Sequence, residues 1–227
     1  MLSARTIYGE IFDHDEAFGL FCSIAASGES QGGWENGKIA ALVPGSQAGL
    51  AAKIARHGAD EDKHGPIFAA LLRKRGLEPV AVPAVVDYTM RLEAAGIGLA
   101  RARLRREEEL TEAGIVTCLG AHSRVTEQRA SEQMRALLRH AGDRPDIARA
   151  VRVISADEDN HLAYCHEELL RLAAAGYGEV IRATLRAAAL AEIAIYRDVS
   201  LAVMAPGAGA DVAAEPGLLT IMLGWPR

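Results

Sequence analysis

Apolar side chains recur at three- and four-residue steps along most of the chain, the spacing that gathers them on one face of an α-helix. Residues 1–13 read as a mixed leader, after which Phe18, Cys22, Ala25, Ile39 and Val43 mark a first helix with Asp15 placed to cap it. The "VPGS" at 43–46 predicts a tight helix–helix connection, with Ser46 as N-cap of a second helix running to about Arg75 and stopping at Gly76. Pro79 and Pro83 in "LEPVAVPAVVD" (77–87) forbid a continuous helix and predict an extended crossover. From roughly Val85 to His140 the pattern is helical again, as two pieces broken or bent around Gly96, Gly98 or Gly114. "HAGDRPD" (140–146) then reads as stop and restart, with Gly142 closing one helix, Asp143 or Asp146 capping the next, and Pro145 near its start. A helix over about 146–175 follows, ended by "AAAGYG", and another over about 178–204.

Two of these apolar stripes carry charge. In the second helix the stripe runs Leu50, Ile54, His57, Glu61, His64, Phe68, Leu71; in the later one it runs Ile147, Val151, Ile154, Glu158, His161, Cys165, Leu169. The charged members belong to a repeated hexapeptide, "ADEDKH" at 59–64 and "ADEDNH" at 156–161. Residues three apart share a helix face, so each Glu-x-x-His can aim a carboxylate and an imidazole at one point. A carboxylate on a core-facing stripe needs a partner or a metal. The carboxylate and imidazole donor set suits iron, manganese or zinc.

Four-helix bundles offer a known arrangement with these parts: two Glu-x-x-His helices plus one Glu from each of two others, holding two metals. In an antiparallel hairpin, side chains at equal depth lie equidistant from the turn. Glu29 and Glu61 are centred on residue 45, inside "VPGS", and Glu127 and Glu158 are centred between 142 and 143, inside "HAGDRPD". Glu29 follows Ala25 by four, and Glu127 lies four before Ser131 and seven before Met134. The rival pair, Glu35 with Glu132, gives equal spacings of 26 to the two motifs but centres away from the turns. Glu29 and Glu127 are therefore the preferred ligands.

These residues resemble the ferritin-like superfamily of dinuclear metal-carboxylate proteins, over roughly residues 15–175. The resemblance implies an all-α, ferritin-like four-helix bundle with a long crossover, here followed by an additional C-terminal helix and a docked tail. It implies Glu29, Glu61, His64, Glu127, Glu158 and His161 as metal ligands, with Asp60 and Asp157 hydrogen-bonding ligand histidines from behind. A carboxylate there fixes the imidazole tautomer and raises its basicity. Asp62 and Asp159 are expected to face water. The implied cofactor is two iron ions, or manganese with iron, reacting with O2 or peroxide. A small organic substrate and an external electron donor are the implied partners, with ferroxidase or peroxide scavenging, or a non-catalytic metal-binding bundle, as alternatives. Departures are Pro66, which should bend the second helix beside the site, and the glycines around Glu29. His57 reads as a partly exposed histidine, with a role behind the ligands or as an extra ligand the lesser reading; Tyr164 and Cys165 read as core residues.

Composition narrows the remaining choices. Among the 227 residues, 50% are hydrophobic and only 5% aromatic, which favours helices packed through small and branched side chains. The net charge of −5 gives no global reason to bind nucleic acid; Arg101, Arg103, Arg105 and Arg106 read as a helix's solvent face. Cys22, Cys118 and Cys165 form no C-x-x-C pair, so a redox disulfide, a rubredoxin-type iron or a thiolate zinc site is not expected. With no apolar export segment and no uncharged 18-residue stretch, the expectation is a cytoplasmic protein outside the membrane, and a homodimer. Residues 1–204 read as one helical domain and 205–227 as an apolar-ended tail that docks.

Overall fold

The structure is a computed structural model that describes residues 4–204, and among these there is no strand. Four long helices surround the repeated motifs: α2 (Asp15–Leu42), α3 (Ala48–Lys74), α7 (Val125–His140) and α8 (Pro145–Leu172). They follow α1 (Ala4–Asp13) and are followed by α9 (Gly178–Met204). No described helix is long and apolar enough to cross a membrane.

The connection between α3 and α7 is more broken than the periodicity suggests. It holds α4 (Tyr88–Ala94), α5 (Arg101–Leu104), α6 (Glu112–Thr117) and a wide π-type turn over Cys118–Arg124 leading into α7. Two helical pieces were expected; Gly96 and Gly98, at φ 74 and 81, instead stop the helix between α4 and α5, whereas Gly114 lies inside α6. The N-terminal segment is also helical rather than a leader. Ile7, Tyr8, Ile11 and Phe12 recur on one face of α1 and are buried against Phe18 and Met134. Capping differs as well, since α2 and α3 begin after His14 and Gln47 without any side-chain cap from Asp15 or Ser46, and Arg144 precedes Pro145 at the start of α8. The arginine run is not simply solvated: Arg101 pairs with Glu93 and stacks over Trp34, and Arg103 donates to the carbonyls of Glu108 and Glu109. α3 continues through Pro66 without interruption.

Two apolar layers fix the direction of the helices. One joins Phe18 and Cys22 of α2, Phe68 and Leu72 of α3, Leu137 of α7 and Ile154 of α8. The other joins Ile39, Ile54, Leu119 before α7, and Cys165 with Leu169. Thus α2 and α8 run one way and α3 and α7 the other, with the long connection joining the two parallel members. The charged stretches of α3 and α8 fall between the layers.

Glycines let α2 and α3 approach closely. A Cβ at Gly58 would stand 3.0 Å from the Gly33 carbonyl oxygen, and one at Gly65 would stand 2.9 Å from Ser30 Oγ. The helix weakness that these glycines impose is offset by this packing. α9 closes the side of the bundle: Ile195 and Val199 pack on Val86 and Leu92. Its buried Glu192 accepts from Arg129 Nε at 2.8 Å and from the Tyr88 hydroxyl at 3.1 Å. The tail proposed to dock lies outside the described residues.

Candidate metal centre

Between the two apolar layers, each long helix delivers one or more polar side chains inward. α2 supplies Glu29, α3 supplies His57, Glu61 and His64, α7 supplies Glu127, and α8 supplies Glu158 and His161. Their donor atoms form two groups, each within 4.8 Å: His57, Glu61, Glu127 and His161 in one, and Glu29, His64 and Glu158 in the other. The first group is buried throughout and could hold a metal ion.

Atomic contacts show how the groups interlock. His64 Nδ1 lies 3.0 Å from Glu29 Oε2, while His57 Nε2 lies 2.7 Å from Glu61 Oε1 and 3.2 Å from Glu127 Oε1. Glu158 faces both groups, with Oε1 at 3.6 Å from His64 Nδ1 and Oε2 at 3.6 Å from His161 Nδ1. Behind the imidazoles the aspartates cross over: His64 Nε2 donates to Asp157 Oδ2 of the opposite helix at 3.1 Å, and Asp60 Oδ2 lies 3.6 Å from His161 Nε2. Both histidines therefore turn Nδ1 toward the carboxylates and Nε2 toward an aspartate. Asp62 and Asp159 are exposed, Asp159 pairing with Arg135.

All six residues singled out with the Glu-x-x-His motifs thus come together. Of the rivals, Glu132 is bound by Gln128 and Arg129, and Glu35 accepts from Gln31; neither belongs to the two groups. His57 corrects its expectation, for it is 1% exposed, stacks on His161 at 3.8 Å between ring centres, and shares a 2.7 Å hydrogen bond with the Tyr164 hydroxyl. Its position on the apolar stripe one turn before Glu61 was the available signal. Tyr164 is accordingly a partner of His57 rather than plain core, while Cys165 is fully buried.

No family model, curated protein or solved structure matches this chain. The chemistry of the site rests on its own geometry.

Crowding of buried carboxylates perturbs their acidity. Burial, with the Glu127 and Glu29 charges, pushes Glu61 up to about 7 against the opposing pull of His57. Burial and then the adjoining Glu127 charge push Glu158 well above the usual carboxylate range. Glu127 moves the other way, because contacts with Glu158, His57 and His161 outweigh its burial. His57 rises to about 10, since Glu127 and Glu61 overcome the burial that opposes its charge. Metal ligation needs deprotonated donors, so binding must displace these protons. Affinity for Mn2+ is therefore expected to rise with pH, by about tenfold per pH unit for each proton displaced, most steeply below the Glu61 value of about 7. Calorimetric titration from pH 6 to 8 measures the slope; a flat or falling affinity contradicts it.

Metal occupancy fits the polar atoms left over. Among the described residues, Glu158 Oε2 and both ring nitrogens of His161 have no hydrogen-bond partner though buried, an arrangement that is costly unless a cation is bound. A cavity of about 170 Å³ reaches the cluster from one side. Glu29, Glu61, Glu127 and Glu158 all line it, whereas His57, His64 and His161 do not. Tyr88, Leu92, Ile97 and Leu99 from the long connection form its apolar wall.

Proposed function

We propose that this chain is a ferritin-like dinuclear metal-carboxylate oxidoreductase acting on O2 or peroxide, with a small organic molecule as the substrate to be oxidised. The observation that carries this reading is the pair of donor groups joined by Glu158, whose two oxygens each face a different histidine. Glu29, His64 and Glu158 would hold one ion and His57, Glu61, Glu127 and His161 the other, with Glu158 placed to serve both. Four carboxylates balance two divalent cations. Iron in both positions, or manganese with iron, suits these hard oxygen and imidazole donors, and when bound supplies the electrons and open coordination positions that O2 chemistry requires.

The chain's own residues divide the remaining work. Histidines and their aspartates close one side, and the carboxylate side opens on the cavity, so a substrate between Leu92, Ile97 and Leu99 meets the oxygen-donor face of the centre. The same cavity also presents Asn36, Arg129 and Gln133, polar groups that could orient such a substrate. A metal site serving structure alone needs no such cavity.

Mixing the ferrous protein with O2 in a stopped-flow spectrometer tests the proposal. An oxidised chromophore forming within seconds and persisting until a reductant is added supports it. Catalytic oxidation of many equivalents of excess Fe2+ identifies a ferroxidase instead, and a ferrous protein inert to O2 leaves only metal binding.

A further inference from the structure

The repeated hexapeptides differ at a single position, Lys63 in one copy and Asn160 in the other. That difference sits behind the histidines. Lys63 Nζ donates to Asp157 Oδ2 at 2.6 Å and to Asp60 Oδ1 at 3.1 Å, so one ammonium touches both aspartates. Asp157 in turn accepts from His64 Nε2, and Asp60 approaches His161 Nε2. Asn160, exposed on the other copy, has no cation to offer.

We propose that Lys63 is a positioning residue for the metal centre, clamping Asp60 and Asp157 together so that both imidazoles keep Nδ1 turned toward the carboxylates. The inference rests on the dinuclear reading of the site. A single clamp suffices because the two motifs meet back to back on α3 and α8. A second lysine at 160 would add a charge where the two aspartates are already served.

The two halves should depend on this clamp unequally. His64 is the only imidazole in its group and is held from behind by Asp157 at 3.1 Å, the aspartate with the shorter contact to Lys63. The other group contains His57 as well, which Tyr164 fixes independently, and its His161 lies farther from Asp60, at 3.6 Å. Loss of Lys63 therefore frees mainly the half made by Glu29, His64 and Glu158. An outer partner of a ligand histidine is worth about 10- to 100-fold in metal affinity.

The test is Mn2+ titration of the full chain by calorimetry, comparing the unaltered protein with Lys63→Met, Lys63→Arg and, as control, Lys53→Met. Lys53 lies on the same helix but pairs with Glu168, away from the centre. In Lys63→Met, which leaves Asp157 in place, one of the two ions is expected to bind about tenfold more weakly, the low end for such partners, with the other within about threefold of its original affinity. Lys63→Arg, whose fork reaches two carboxylates, should restore both, and Lys53→Met should change neither. The melting temperature of the metal-free protein should be the same in all four. Unchanged affinity for both ions in Lys63→Met overturns the clamp while leaving the dinuclear reading intact. Equal weakening of both ions with a lowered metal-free melting temperature also overturns it, because that is a general structural effect. Absence of Mn2+ binding in the unaltered protein overturns the dinuclear reading and the clamp with it.

Discussion

Glu158→Gln is expected to abolish tight binding of both metal ions while leaving the metal-free protein folded. Without metal, burial and the neighbouring Glu127 favour the neutral form of Glu158, which an amide of the same shape imitates. Stability of the metal-free protein should therefore change by less than about 1 kcal/mol. Metal binding responds differently, because an amide carries no charge to share between two cations. Glu158 reaches toward both histidines, so its loss is felt in both groups, and affinity should fall by more than the roughly 100-fold ceiling for residues behind the ligands. Calorimetric metal titration with a thermal melt of the metal-free protein separates the effects. Loss of only one ion would show that Glu158 does not bridge.

Gly32→Ala should give the second large effect, and in a direction that helix propensity alone gets wrong. Alanine is favoured over glycine in a helix interior by about 1 kcal/mol, so an open position in α2 should gain stability. Gly37, with nothing within 4 Å of a Cβ, is such a position, and Gly37→Ala should raise the melting temperature without altering metal content. At Gly32 the added Cβ would stand 1.7 Å from Glu61 Oε2, a separation that cannot persist. The carboxylate end of Glu61 is flexible enough to swing aside, so the fold survives. Swinging aside breaks the 2.7 Å contact to His57 and takes an oxygen out of the group formed with Glu127 and His161. The expected outcome is a folded protein with the affinity of that ion reduced by at least about 100-fold. Full metal loading of Gly32→Ala would mean that Glu61 is not a ligand.

The glycine at 32 shows where sequence reasoning stops. Helix periodicity and turn-centred spacing were enough to bring Glu29, Glu61, Glu127 and Glu158 to one height, because hairpin geometry depends only on counting residues from a turn. The limits of α8 and α9 were legible for the same reason, through Gly142, Pro145 and Gly176 at their ends. Why α2 is rich in glycine was not legible, since the reason is a carboxylate arriving from another helix. The burial of His57 was marked only by its place on the apolar stripe, because Tyr164, which holds it, is 107 residues away. The fragmentation of the long connection escaped because α4 and α5 are too short for periodicity to define, and tertiary partners such as Glu93 and Trp34 shape them. The signal for α1 was the recurrence of Ile7, Tyr8, Ile11 and Phe12 within the stretch read as a leader.

The central claim is that one buried cluster holds two ions, and anomalous diffraction from crystals prepared with Fe2+ under anaerobic conditions tests it most directly. The account predicts two iron peaks per chain about 3.5–4 Å apart. One should lie among His57, Glu61, Glu127 and His161, and the other among Glu29, His64 and Glu158, with Glu158 touching both. A single peak, or iron bound only at surface carboxylates with the cluster empty, would contradict it.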